Sequence, residues 1–210
     1  MSSWHDELQK GADHLAATDP ILATVIATAP LPTFAPHKKY YQELVESIVS
    51  QQLSVKAAAS ILKRFKDLFA SDFPTPEEIL EKDTETYRSA GLSRQKAAYI
   101  RDLAEKVIDG TVTFDHLDSL SNQEVIDELT TVKGVGVWTV HMFLLFCMGR
   151  FDVLPTGDLG IRNGIQKLYS LDERPGDAEI EAIARVNNWA PYESIASWYV
   201  WHSLDNKPAL

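Results

Sequence analysis

The stretch Leu129–Val140, LTTVKGVGVWTV, decides how this chain of 210 residues is read. Its spacing predicts the end of one helix, a tight turn bracketed by Gly134 and Gly136, and the start of a second helix. Glycine admits positive φ and lets another backbone come close. A sharp turn that empties into a helix leaves N–H groups unpaired at the helix's positive end. Such a site suits a phosphate oxygen. Lys133, Gly134, Val135 and Gly136 are therefore the candidate phosphate-binding set, with Lys133 adding positive charge and Val132 and Val135 anchoring the turn in the core. A plain interhelix turn also uses glycine. The position between two helical segments, with Trp138-Thr139 following at once, favours the binding reading.

Outward from the turn, nearly every segment carries a helical signal. Residues 40–50 place Leu44, Val45, Ile48 and Val49 on one face, and residues 54–69 place Val55, Ala58, Ala59, Leu62 and Phe65 on another. Thr75 with Glu78, and Ser121 with Glu124, have capping-box spacing. Ser93 can cap a helix with the face Ala97, Ile100, Ala104, Val107 and Ile108, stopped by Gly110. Later helices are expected near Asp158, Asp177 and Pro191. Period-2 alternation is scarce. The expectation is an all-α fold of about ten helices with short connections. It divides into an N-terminal helical segment and connector over residues 1–39 that packs on the second subdomain, a central helical subdomain over 40–127, and that second subdomain, bearing the hairpin, over 128–210.

The 45% hydrophobic content suffices for a core without staples. The single cysteine, Cys147, lies in the apolar run MFLLFCMG and reads as a buried thiol. One cysteine excludes a four-thiolate iron–sulfur cluster and a cysteine-based zinc site. The six histidines show no HExxH-type pairing. No signal peptide is visible and no apolar run is long enough to span a bilayer, so a cytoplasmic location without membrane association is expected. The net charge of −10 argues against general coating of a polyanion. Residues 129–169, however, hold four basic against two acidic side chains, so the acidity lies elsewhere, notably in DFPTPEEILEKDTE.

LTTVKGVGVWTV resembles the helix-hairpin-helix signature of the HhH-GPD DNA glycosylases, and LPTGDLGIRNGI, which follows, places Asp158 where that family carries its essential aspartate. SIVSQQLSVKAAASI and GLSRQKAAYIRDLA are similar to two further segments of the alkylation-repair, or 3-methyladenine DNA glycosylase II, branch. The resemblance spans about residues 40–201. It implies two helical subdomains with a lesion cleft between them, a double-stranded DNA partner containing damaged bases, a monomer, and no required cofactor. It also implies a possible structural monovalent cation, sodium or potassium, on main-chain carbonyls of Val132 and Gly134. Gly157 departs from relatives that have an acidic residue before the catalytic one.

By this resemblance Asp158 is the catalytic residue, stabilising an oxocarbenium-like sugar and orienting water. A helix N-cap is the alternative role for the same residue, and the two can coexist. Bifunctional relatives place a lysine at position 138 to attack the sugar. Trp138 stands there, which implies a monofunctional hydrolase for cationic bases such as 3-methyladenine and 7-methylguanine. An electron-rich pocket attracts such bases; Trp138, Trp198 and Trp201 are its candidate walls, with Tyr199 nearby, each equally readable as core. Gln51 is a candidate base contact. Gln52 and Leu53 are candidate wedges for the gap left by a flipped base, Leu53 reading equally as core. The rivals are a non-catalytic helix-hairpin-helix DNA-binding module and a glycosylase/lyase for other damaged bases.

Overall fold

A computed structural model describes residues 4–204, and among these every regular element is helical. The chain forms two compact units, one of residues 1–36 with 144–210 and one of residues 37–143. It differs from the expected division in one place: residues 128–143, the hairpin included, group with the central helices. The N-terminal residues group with the C-terminal ones.

In the first unit, α1 (Trp4–Thr18) and α2 (Pro20–Ile26) confirm the helical reading of the N-terminus for the described residues. The connector after them is irregular, as its three prolines predict. The central unit holds seven of the twelve α-helices found among the described residues. These are α3 (Tyr40–Ser50), α4 (Val55–Lys66), α5 (Pro76–Glu81), α6 (Thr84–Ser89), α7 (Arg94–Ile108), α8 (Asn122–Leu129) and α9 (Val137–Met142). Both predicted capping boxes form, at Thr75 and Glu78 and at Ser121 and Glu124. Ser93 accepts from the Lys96 amide, and Gly110 takes φ +78° just beyond α7. Helices α3, α5 and α6 all pack on α7, making it the spine of this unit. The α3 face is buried as its period predicts.

The expected α4 face is wrong in its first half: Val55 is 66% exposed and Ala59 is exposed. The first turn of α4 stands beside the exposed loop at 52–54; Ala58, Ile61 and Leu62 are half-buried and Phe65 alone of the face is fully buried. Ile108, at the end of α7, is likewise exposed.

Back in the first unit, α10 (Leu159–Leu168), α11 (Asp177–Val186) and α12 (Glu193–His202) begin where expected. Every residue of α12 from Ser194 to Trp201 is buried. A helix apolar all round must be surrounded, and α1, α2 and α10 supply that surround. Asp19, fully buried, caps α2 through the amides of Ile21 and Leu22 and accepts from the Trp189 indole N–H at 2.8 Å and from the Tyr169 hydroxyl. All its charge is thereby answered by donors, the condition for burying a carboxylate.

Helices α10 and α12 cross closely at Gly164. A Cβ on Gly164 would lie 2.5 Å from Val200 Cγ1 and 2.9 Å from the Val200 carbonyl oxygen. Gly164→Ala is therefore expected to force the two helices apart and destabilise the protein by about 1–3 kcal/mol, measured as a lower midpoint of thermal unfolding. An unchanged midpoint would contradict the tight crossing.

Candidate functional site

The hairpin between α8 and α9 is built by glycine geometry and by one buried carboxylate. Gly134 has φ +82°, and a Cβ there would fall 2.0 Å from the Tyr99 ring of α7. Only glycine satisfies both demands. Gly136 has φ −99° and open space around its Cβ position, so it leaves the outer face of the turn clear. Val132 and Val135 are buried, anchoring the turn as expected. Among the described residues, the N–H groups of Gly134, Gly136 and Val137 have no intramolecular acceptor. They are the amides left for an outside acceptor, at the start of α9.

Lys133 has a partner that its sequence position does not reveal. Its main-chain N–H donates to Asp102 Oδ2 at 2.9 Å, and its ammonium pairs with Asp102 Oδ1 at 2.9 Å. Lys106 Nζ adds a third donor at 2.8 Å. Desolvation pushes the buried Asp102 carboxyl up, but the hydrogen bonds from Lys106 and Lys133 outweigh it and hold the group at about 2. The charge of Lys133 thus faces a partner in its own fold. Its side chain stays 72% exposed, so the hairpin presents that paired ammonium and its unused amides to solvent.

The loop after α3 is fastened to the same region. Gln51 donates its side-chain amide to the Gly134 carbonyl at 2.8 Å. Lys96 of α7 donates to the carbonyls of Val49 and Gln51 at 2.7 and 2.6 Å. Burial holds the Lys96 amine below the usual lysine range. Gln52, with φ +57°, and Leu53, 36% exposed, stand out from this fastened loop. Leu53 is therefore not a core residue. Gln51 turns to the hairpin, a contact its sequence position does not reveal.

Asp158 is half-buried and is the N-cap of α10. Its Oδ1 accepts from the Ile161 amide at 2.8 Å and from the Trp201 indole N–H at 2.8 Å. Gly160 makes this possible, because a Cβ there would lie 2.9 Å from the Trp201 ring and 3.0 Å from Asp158 Oδ1. Phe146 stacks on Trp201, with centroids 6.0 Å apart and planes at 25°. Two donors from different elements thus fix the carboxylate in one orientation.

The remaining aromatic candidates separate. Trp138 is half exposed. Trp198 is buried and stacks on His202 with an interplanar angle of 9°. Trp201 is buried, with its edge on Asp158. Tyr199 is buried, and burial pushes its hydroxyl up to about 12. Sequence reasoning missed Asp102, Lys96, Tyr99 and Gly160. The only signal for any of them was Gly160 and Gly164, four apart on one face of a helix.

The carbonyls proposed for a cation each accept a hydrogen bond already, Val132 from the Val135 amide and Gly134 from Gln51. A hard cation takes several oxygen ligands, so these two groups alone do not build its site.

The family model described as HhH-GPD superfamily base excision DNA repair protein matches residues 45–189. The chain is 41% identical over 166 residues to DNA-3-methyladenine glycosylase 1 of Schizosaccharomyces pombe, covering 78% of this chain and 72% of that protein. Among solved structures, it is similar to a 3-methyladenine DNA glycosylase of the same yeast in complex with abasic DNA. There the TM-score is 0.76 at 37% identity, covering 91% of this chain and 95% of the other. A DNA-3-methyladenine glycosidase from Bacillus halodurans gives a TM-score of 0.83 at 36% identity, covering 92% and 88%.

The Asp102 cluster carries a pH signature. A carboxyl whose pKa falls on folding stabilises the fold above its unfolded value, and loses that contribution as pH drops through the folded one. Relative to Asp102→Asn, the wild type should be more stable by on the order of 2 kcal/mol above about pH 4. That difference should close as pH falls toward about 2. Urea unfolding of both proteins across this range measures it. A difference independent of pH would remove the charge from the account.

Proposed function

The chain belongs to the HhH-GPD superfamily of base excision DNA repair proteins, and we propose that it is a monofunctional DNA N-glycosylase. Its substrates in this reading are alkylated bases of the 3-methyladenine and 7-methylguanine type in duplex DNA. The observation that carries the proposal is the Asp158 carboxylate, held by Ile161 and Trp201 at the start of α10 and following a hairpin with outward amides.

The chemistry needs little else. A base alkylated at N3 or N7 is cationic and leaves as a neutral molecule, taking the electron pair of the N-glycosidic bond. Positive charge then develops on the sugar. At about 4 Å and an effective dielectric of ~20, a carboxylate attracts that charge by roughly 4 kcal/mol. Water adds to the sugar carbon, and its proton passes to the carboxylate or to solvent. No acid is required to protonate the leaving base. Trp201 and the Ile161 amide keep Asp158 from rotating away from the developing charge.

Trp138, with half its surface open, is the favoured stacking partner for the extruded cationic base. Leu53 and Gln52, outward on a fastened loop, are the proposed wedge. The amides of Gly134, Gly136 and Val137 are the proposed phosphate grip. A monovalent cation at the hairpin would need carbonyls beyond Val132 and Gly134, and no step uses it. Among the described residues no helix is long and apolar enough to cross a membrane. The proposed setting is a monomer on DNA in the cytoplasm.

Water rather than an amine is the nucleophile, because position 138 is tryptophan and the hairpin lysine is paired with Asp102. On methylated duplex DNA, bases should be released while strand breaks appear only after alkali, and borohydride should trap no protein–DNA adduct. Efficient trapping would falsify the monofunctional reading. Asp158→Asn should nearly abolish release while DNA binding survives or strengthens, since a negative charge leaves a site facing a polyanion. Wild-type turnover in that variant would instead promote a non-catalytic DNA-binding module.

Trp201→Phe keeps an aromatic ring but loses the donor to Asp158. A hydrogen bond to a charged group is worth about 1.5–3 kcal/mol. Single-turnover base release should therefore slow roughly tenfold or more. An unchanged rate would show that the N-cap amide alone orients the carboxylate.

A further inference from the structure

Helix α7 presents Gln95, Lys96, Tyr99, Asp102 and Lys106 along neighbouring stripes, spaced so that they lie near one another on its surface. Three of them reach the DNA-facing elements of the same unit. Asp102 holds the Lys133 main-chain amide and its ammonium. The Tyr99 ring lies under Gly134. Lys96 holds the carbonyls of Val49 and Gln51. Gln51 then closes the circuit by donating to Gly134.

We infer that Asp102 and Lys96 are positioning residues for DNA engagement: from one helix they set the phosphate-gripping hairpin and the wedge loop in a common register. The geometry gives each a distinct task. Asp102 takes the Lys133 amide and the Val132 carbonyl takes that of Val135, leaving those of Gly134, Gly136 and Val137 without an internal acceptor. Lys106, the third donor on Asp102, keeps the buried carboxylate fully answered. Lys96 gathers the last carbonyls of α3, where the chain leaves the helix toward Gln52 in a left-handed conformation. Neither residue needs to touch DNA to act.

The electrostatic consequence of losing Asp102 has an unusual sign. Removing a negative charge near a DNA surface ordinarily tightens binding to the polyanion. Removing Asp102 frees Lys133 and raises the net charge by one, yet it also unfastens the hairpin. If positioning dominates, Asp102→Ala weakens binding.

This inference rests on the hairpin being the phosphate grip, and the test separates the two. Fluorescence anisotropy on undamaged duplex, at several salt concentrations, compares Asp102→Ala, Asp102→Asn, Lys133→Met and Gly136→Ala. Gly136→Ala fits the backbone and open space of its site, so it probes the outer face of the turn without disturbing the fold. Asp102→Ala should weaken binding about tenfold. Lys133→Met, which keeps the main-chain bond, should weaken it less. Asp102→Asn keeps the volume and an acceptor, and should fall between wild type and Asp102→Ala; it carries the test if the alanine variant does not fold. Weakening by Gly136→Ala with unchanged or tighter binding by both Asp102 variants overturns the positioning role and leaves the grip. No effect from Gly136→Ala or either Asp102 variant overturns both.

Lys96→Met is read by a ratio. A wedge matters where the base must be pulled from a stacked pair, and little where the base is already unpaired. Base release from a fully paired methylated duplex should fall about tenfold, while release of the same base from a single-stranded bulge changes by less than about threefold. Equal losses on both substrates would show a general structural defect and overturn the assignment of Lys96.

Discussion

A loop that grips a phosphate with its own amides must be rigid while those amides stay unpaired. The two demands conflict, because a chain normally gains order by pairing its amides. For the grip proposed here, the conflict is resolved from behind. Tyr99 fills the space that a side chain on Gly134 would take, Gln51 binds the Gly134 carbonyl, and Asp102 takes the Lys133 amide. These contacts hold the turn through the Gly134 carbonyl and the Lys133 amide, so the amides of Gly134, Gly136 and Val137 are oriented without being used. A buried carboxylate is costly unless donors surround it, and three donors make Asp102 an anchor.

In the proposed reading, that solution lets a chain of net charge −10 address DNA. Fixed amide dipoles at a helix start attract a phosphate oxygen at short range without a basic surface. Lys133 is the obvious cation of the turn, and its charge is held by Asp102. Affinity built this way depends on geometry more than on ion release, which ties it to the packing of α7.

In the proposed reaction, Asp158 joins a structural and a chemical role in one side chain. An N-cap carboxylate is already pinned by the first turn of its helix. The Trp201 donor removes the remaining rotational freedom, and it reaches Asp158 because α10 carries glycine at positions 160 and 164, where side chains would meet α12. The cap that orders the helix is thus also the device that aims the charge.

Helix starts and stops were legible along the chain because capping is local: Thr75 with Glu78, Ser121 with Glu124, Ser93 and Asp158 each act within four residues. The α3 face was legible because its apolar period is long and regular. The α4 face was not, because Val55 is apolar in sequence but sits beside an exposed loop. Trp138, Trp198 and Trp201 are equivalent as letters, yet one is half exposed, one stacked on a histidine and one bonded to the carboxylate.

The sequence by itself determined an all-helical chain, the glycine turn, the tryptophan in place of a lysine at 138, and the aspartate that follows. Each is a local property or a residue identity at a set spacing. Only the tertiary structure decided that Lys133 is paired, that Lys96 and Asp102 work on segments more than thirty residues away in the chain, and that Trp201 orients Asp158 across 43 residues. In sequence, Lys96 and Asp102 read as ordinary charged residues of an amphipathic helix. Packing buried Asp102 and gave both their partners, because a charge taken from water must find donors or acceptors wherever the fold brings them.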